Sequence, residues 1–294
     1  MTFLSGFVAV VGPPNVGKST LLNRLLGTKV AIVSPKPQTT RNRILGIVHG
    51  EGYQMVIMDT PGIHQTQTPL HESMVASARA ALQEVDIIAL MIEMPHPQDE
   101  NISMVLGNLK KVKKPSLLVI NKIDLASKEA VLPVIEFYRR RYPFKAFLPV
   151  SALKGDGLEA LLEELKSLLK PGPMFFPPDM KTDQSELFLI SEMIREKIYI
   201  HMKRELPYAC AVTVDSVEEH PAKNLLTVSA KIHVETESQK GMVIGAGGKM
   251  IKAIGRSSRL DIETVFGTPV FLDLRVRVDR KWSRNPKALR KLGY

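Results

Sequence analysis

Cysteine is almost absent: Cys210 is the only one among 294 residues. An internal disulfide is therefore excluded, which suits a reducing compartment. Cys210 lies in a strand-like stretch and reads as a small buried hydrophobe. Long apolar runs are missing too. The longest, Ile87–Ile92, has six residues, whereas a membrane-spanning helix needs about 20. No basic region followed by an apolar stretch and a small-residue cleavage site opens the chain, so a cytoplasmic location is expected. The seven histidines are scattered without metal-ligand spacing. No internal repeat, low-complexity tract or heptad pattern occurs, and a monomer is the expected state. What remains is ordinary globular material, 44% hydrophobic and 24% charged, long enough for about two domains.

Charge is the first positive signal. The net charge is +10, and the stretch Lys249–Tyr294 carries 12 Lys and Arg against 4 Asp and Glu. Most of the excess thus sits at one end, which points to a polyanionic partner, either nucleic acid or an acidic membrane surface.

Residues 1–170 alternate short apolar runs with helical patterns. The runs are Phe7–Val11, Met55–Met58, Ile87–Ile92, Leu117–Ile120 and Ala146–Val150; the helical patterns include Lys18–Leu26, Leu70–Leu82, Ala130–Tyr142 and Leu158–Leu169. This alternation predicts an α/β domain with a mainly parallel sheet. Arg43–Val48 and Tyr53–Met58 flank His49-Gly50-Glu51-Gly52 as a hairpin would, which adds one antiparallel strand. Lys170–Asp179 is half Pro and Gly and reads as a linker, although Met174, Phe175 and Phe176 are apolar enough to pack on a domain. Beyond it the order becomes helix, strand, strand, helix, helix, strand, which makes an α+β domain.

Four loops at successive strand ends carry chemistry. Gly12-Pro13-Pro14-Asn15-Val16-Gly17-Lys18-Ser19 fits G-x-x-x-x-G-K-[ST] between a strand and a helix. Its N–H groups would face phosphate oxygens, Lys18 would reach the terminal phosphates, and Ser19 would offer a hydroxyl to magnesium. Asp59-Thr60-Pro61-Gly62 supplies a carboxylate for magnesium through water and an N–H for a terminal phosphate. Asn121-Lys122-Ile123-Asp124 places an aspartate that can accept from guanine N1 and N2, a pair adenine does not offer. Ser151-Ala152-Leu153 offers a backbone N–H to guanine O6. Each motif is weak alone; the four in this order are not a chance set.

With these motifs the chain resembles the translation-factor-like GTPases and, more closely, the Era family, over essentially its whole length. The resemblance implies a P-loop GTPase domain over residues 1–172, a Pro-rich linker over 173–184 and a type II KH domain with a basic tail over 185–294. It implies GTP and GDP as ligands with Mg2+, the nucleotide held by Gly12 to Ser19 with Thr20, by Asp59 to Gly62, and by Asn121, Lys122, Asp124, Ser151, Ala152 and Leu153. Ser19, Thr40 and Asp59 would hold magnesium, with Thr39 the alternative to Thr40 in the switch Pro37–Arg43. Turnover would rest on Lys18, Thr40, Asp59, Gly62 and Asn15. The residue after Gly62 is Ile63, which can neither orient nor deprotonate water. Some relatives use the loop asparagine to hold a potassium ion, a role Asn15 would take; the other reading of Asn15 is a turn-stabilising side chain. Slow intrinsic turnover is expected, with GTP acting as a timer.

In the second domain Val243-Ile244-Gly245-Ala246-Gly247-Gly248-Lys249 contains the G-x-x-G of a KH loop. Many relatives carry a basic residue where this chain has Ala246. Lys249, Lys252, Arg256 and Arg259 recur on one helical face beside the loop. Trp282 either stacks a base or anchors the tail. The resemblance implies small-subunit ribosomal RNA near its 3′ end as the target, an assembly role on the small subunit, and peripheral association with the inner membrane. The alternative is an RNA-binding or membrane-surface module whose GTPase domain serves mainly as a docking scaffold.

Overall fold

The computed structural model describes residues 2–37, 39–62, 69–94, 97, 102–203 and 205–292. Gln38 of the switch stretch, Ile63 and the C-terminal Tyr294 lie outside them. The chain packs as two units. The first comprises Met1–Ala31, Thr40–Gln67 and His71–Asp183, and the second Ile32–Thr39, Thr68–Leu70 and Gln184–Tyr294.

In the first unit the elements run β1 (Leu4–Val11), α1 (Lys18–Leu26), β2 (Ile44–Gly50), β3 (Tyr53–Asp59), α2 (Pro69–Glu84), β4 (Ile87–Glu93), α3 (Ile102–Val112), β5 (Ser116–Asn121), α4 (Val131–Arg139), β6 (Phe147–Pro149), α5 (Leu158–Ser167) and β7 (Lys170–Pro171). The sheet order is β2-β3-β1-β4-β5-β6, parallel except for the β2–β3 hairpin, while β7 pairs antiparallel with the start of β1. β4 and β5 are buried along nearly their whole length, as strands covered on both faces must be. Ala9, Leu90, Ile92, Leu118, Leu106 and Tyr138 belong to one apolar cluster between the sheet and its helices.

The Pro-rich stretch lies along the first unit. Gln54 Oε1 accepts from Phe175 N at 2.8 Å and Phe176 N at 3.1 Å, and Ile47 N donates to Lys181 O at 2.9 Å. The Phe175 ring sits 4.9 Å from that of Phe7. The apolar residues that made this stretch an odd linker are thus its attachment.

The second unit has α6 (Glu186–His201), β8 (Ala211–His220), β9 (Leu225–Val234), α7 (Glu237–Ile244), α8 (Lys249–Phe266), β10 (Val270–Val278) and α9 (Pro286–Lys291). Its sheet order is β10-β9-β8, with β9–β10 parallel and β8–β9 antiparallel. Ile190, Ile194 and Ile198 of α6 and Ile254 and Ile262 of α8 share a core with Val228, Ala230 and Ile232 of β9. Ser185 caps α6, and Thr236 with Gln239 forms a capping box on α7, which satisfies helix-start N–H groups that would otherwise lack partners. Segment Ile32–Thr39 packs with this unit. Val33 N donates to Glu196 Oε1 at 2.9 Å, Arg195 Nη2 donates to Thr39 O at 2.7 Å, and Lys36 Nζ donates to Tyr199 O at 2.5 Å and to Met202 O.

Candidate nucleotide site and basic cleft

The carboxyl ends of β1, β3, β5 and β6 bring the four loops together, the usual location of a ligand in an open α/β sheet. Two backbone positions fix the first loop. Gly17 is left-handed (φ 98) and a Cβ there would lie 2.3 Å from Asn121 Nδ2; a Cβ on Gly12 would lie 2.2 Å from Met91 O. Asn15 is also left-handed (φ 64), a conformation asparagine tolerates better than most residues. Such alternation turns successive N–H groups inward as an anion nest.

Lys18 is buried and donates to Gly12 O at 3.1 Å and Pro13 O at 2.7 Å. Its burial pushes the ammonium down to about 8, with the charge of Asp59 pulling the other way. Asp59 is fully buried; desolvation pushes its carboxyl up to about 6 against Lys18 and hydrogen bonds from Ser19, Thr40 and the Thr60 backbone. Ser19 Oγ donates to Asp59 Oδ2 at 2.5 Å and stands 2.9 Å from Thr40 Oγ1. Thr39 instead bonds within its own segment, donating to Lys36 O at 2.8 Å. Of the two switch threonines, Thr40 is therefore the one beside Ser19 and Asp59.

The other Asp59 oxygen, Oδ1, is buried with no hydrogen-bond partner among the described residues. An orphaned carboxylate oxygen beside two hydroxyls is an oxygen-only donor set that suits a hard cation such as Mg2+. Elsewhere among the described residues no group of three or more His, Cys, Asp or Glu could hold a metal. The site residues fit the implied ion.

Asn121 ties two loops together, which the sequence did not foretell. Its Nδ2 donates to Val16 O at 2.7 Å and its Oδ1 accepts from Ala152 N at 2.9 Å. Of the backbone N–H groups that this loop offers, the one of Ala152 is thus directed at Asn121. Ser151 Oγ donates to Asp124 Oδ1 at 2.7 Å and so orients the carboxylate expected to read the base. Lys122, left-handed at φ 60, pairs with Glu93. No local pattern marks Asn121 as a brace or Glu93 as a partner, because both links join residues about 30 or more apart.

In the second unit Gly245, Gly247 and Gly248 have φ of 72, 58 and 77. A Cβ on Gly245 would lie 2.7 Å from Met250 Cβ, so the loop depends on glycine there. Beside it, α8 and β10 form a cleft of about 620 Å3 lined by Ile251, Lys252, Gly255, Arg256, Arg259 and Val270–Leu274. Lys249, Lys252, Arg256 and Arg259 are exposed, and Arg259 lies 3.8 Å from Glu263. Phe271 is 59% exposed on the β10 side; strand alternation alone gave no reason to single it out. Trp282 is buried and donates Nε1–H to Ala209 O at 3.1 Å. Of its two readings, anchoring the tail is the one realised.

Family models match both units: one described as "50S ribosome-binding GTPase" over residues 7–122 and one described as "KH domain" over residues 205–283. GTPase Era of Syntrophus aciditrophicus is 48% identical over 99% of this chain and 95% of its own length, and GTPase Era of Geotalea uraniireducens is 50% identical over 99% and 98%. The chain belongs to the Era GTPase family. Two solved structures of Era proteins superpose on the whole chain. One is a variant of Aquifex aeolicus Era bound to GDP and AlF4−, with a TM-score of 0.95 at 38% identity, covering 100% of this chain and 99% of that one. The other is Era in complex with MgGDPNP and nucleotides 1506–1542 of 16S ribosomal RNA, also at a TM-score of 0.95, with 39% identity and 99% of each chain covered. Family membership makes the chain a guanine-nucleotide-binding GTPase with a KH module. No described helix is long and apolar enough to cross a membrane.

Proposed function

We propose that this GTPase binds small-subunit ribosomal RNA near its 3′ end through the α8–β10 cleft and the Gly245–Gly248 loop, and assists assembly of the small ribosomal subunit with GTP as a timer. The observation that carries this reading is the basic cleft of α8 directly beside a glycine-dependent loop. Glycines permit close approach of a sugar–phosphate backbone, lysine and arginine supply its counter-charge, and KH modules hold about four nucleotides this way. Phe271 at the cleft wall offers a face for a base.

In the nucleotide site, Gly12 to Ser19 and Thr20 would cradle the phosphates, Asp124 would accept from the guanine edge, and Ser151, Ala152 and Leu153 would close over the base. Ser19, Thr40 and Asp59 would hold Mg2+, which neutralises charge on the β- and γ-phosphates. Lys18, held by two loop carbonyls, is already aimed along the loop and needs little reorganisation to meet negative charge developing on a transferred phosphoryl. Gly62 packs so closely on the loop that a Cβ would lie 2.9 Å from Pro14 N, and its N–H is the proposed γ-phosphate donor. With Ile63 in place of a polar residue, water is positioned by other groups. Asn15 next to the phosphates is our candidate ligand for K+, which would supply the charge an arginine finger supplies elsewhere; equal turnover in potassium and sodium buffers would remove that role.

The decisive experiment is crosslinking of bound RNA to the full chain and to Gly248→Asp, with GTP turnover measured with and without a 3′-terminal 16S fragment. Enrichment of that fragment by the wild type, its loss in the variant, and turnover that responds to the fragment are expected. An unchanged RNA profile in Gly248→Asp defeats the KH assignment. Binding without turnover would favour the docking-scaffold alternative. Sedimentation with purified 30S and 50S subunits separates the small-subunit reading from binding to the large subunit. Monomeric state and peripheral association with the inner membrane complete the proposal.

A further inference from the structure

We propose that the amino-terminal edge of the GTPase sheet carries a second RNA site, one that grips the phosphate backbone of duplex RNA without reading bases. This rests on the ribosomal-RNA reading above. Segments 109–116 and 138–145 together hold five lysines and three arginines and no Asp or Glu. Parallel pairing of β5 with β6 brings the two segments together: Lys145 N donates to Ser116 O at 2.8 Å. Between them is a cleft of about 500 Å3 with Lys110, Lys113, Lys114 and Lys145 around it and Pro115 and Tyr142 in its wall.

The four lysines are not equivalent. Lys114 donates to Gln83 O at 2.5 Å and to Val85 O, and so holds the end of α2. Lys110, Lys113 and Lys145 are exposed and make no ion pair among the described residues. Three unpaired cations around one concavity repel each other, and an anion relieves that repulsion. The cleft is also separate from the nucleotide loops. It opens where β5 begins, at Ser116, whereas the base-reading loop follows Asn121 at the other end of that strand, roughly 17 Å away at 3.3 Å per residue.

Lys113 adds an independent mark. It closes α3 in the left-handed conformation, φ 52, with its N–H donating to Leu109 O at 3.2 Å. Glycine takes that conformation freely and is the common residue there. A lysine accepts strain to place a charge on the rim of the cleft.

The chemistry favours RNA backbone over other anions. Tyr142 and Leu109 are buried, and no residue of 109–116 or 138–145 is among the exposed large hydrophobics. The surface therefore lacks both a stacking platform for bases and an apolar side chain to enter a bilayer. Lysine ammoniums around a concavity bind phosphates by charge, independent of sequence.

The test uses the full chain and a blunt RNA duplex of about 20 base pairs. Lys110→Glu/Lys113→Glu/Lys145→Glu is expected to bind it at least about tenfold more weakly, with a salt slope smaller by about two to three units, and to keep wild-type GTP turnover. Gly248→Asp is expected to lose the single-stranded 3′ fragment and keep the duplex. Loss of the single strand alone thus reports on the KH reading, and loss of the duplex alone on this one. Duplex binding by the triple variant equal to wild type overturns the proposal, as does a loss confined to acidic phospholipid vesicles. Lys113→Gly provides a second measure: a higher melting temperature with a two- to threefold weaker duplex affinity is expected, on the order of one lost phosphate contact. An unchanged affinity shows that Lys113 is not a contact.

Discussion

Asp59 shows what one residue must endure to serve this site. Its carboxyl is buried beside Lys18, keeps one oxygen unpartnered, and is pushed up to about 6. The fold therefore binds a proton at Asp59 more tightly than the unfolded chain does. Its contribution to stability is full below about pH 4 and is lost as pH rises through 6, up to about 3 kcal/mol for a shift of two units. Asp59→Asn has no such titration. In EDTA without nucleotide, urea unfolding should show the variant gaining stability relative to wild type between pH 4 and 7, by up to that amount, while magnesium-dependent turnover is lost. A stability difference that stays constant across this range would mean that Asp59 ionises normally. Residues of this kind were legible in the sequence because each motif ends a strand and its chemistry is local. Asn121 as a brace was not, since that link depends on a carbonyl brought from 105 positions away; Thr40 was preferred to Thr39 on the resemblance alone, and its place beside Ser19 agrees with that choice.

At the scale of elements, α8 sets local stability against access. Gly255 sits inside this helix and lines the basic cleft, and a Cβ there would meet nothing within 4 Å. Glycine in a helix interior costs roughly 0.5–1 kcal/mol relative to alanine, and no packing reason offsets that cost. A methyl group would project into the cleft that we propose an RNA backbone enters. Gly255→Ala should raise stability by about that amount in chemical denaturation and weaken the 3′ single strand on the order of tenfold, or about 1.4 kcal/mol. Equal affinity would show that the RNA passes elsewhere. The helical period of Ile251, Ile254, Ile262 and Val265 made α8 predictable, and its basic face followed from the same period. Phe271 and the cleft did not follow, because pairing α8 with β10 is tertiary. The same limit applies to β7: two residues carry no periodicity, and only the β1 edge makes them a strand.

At the scale of the whole molecule, Thr39 and Thr40 are neighbours in the chain but belong to different units. Thr40 stands beside Ser19 and Asp59, while Thr39, one peptide bond away, is held through its carbonyl by Arg195 of α6. Arg195 is fully buried and paired with Glu192, so removing it would leave a buried charge unpaired and cost several kcal/mol of stability. Lys36 is the gentler probe. Its ammonium meets the carbonyl of Tyr199 in the last turn of α6 and that of Met202 just beyond it, where a cation is favoured by the helix dipole. Lys36→Met keeps the length and apolar stem and removes only that tie. If nucleotide state reaches the RNA-binding unit through segment Ile32–Thr39, the variant should keep intrinsic GTP turnover within about twofold. The factor by which the 3′ RNA fragment changes turnover should then fall toward one. Loosening a contact worth about 1 kcal/mol would shift such a coupling by roughly fivefold. Single-turnover hydrolysis with and without RNA measures both quantities on one protein. An intact RNA response in Lys36→Met would rule this tie out as the route between the sites.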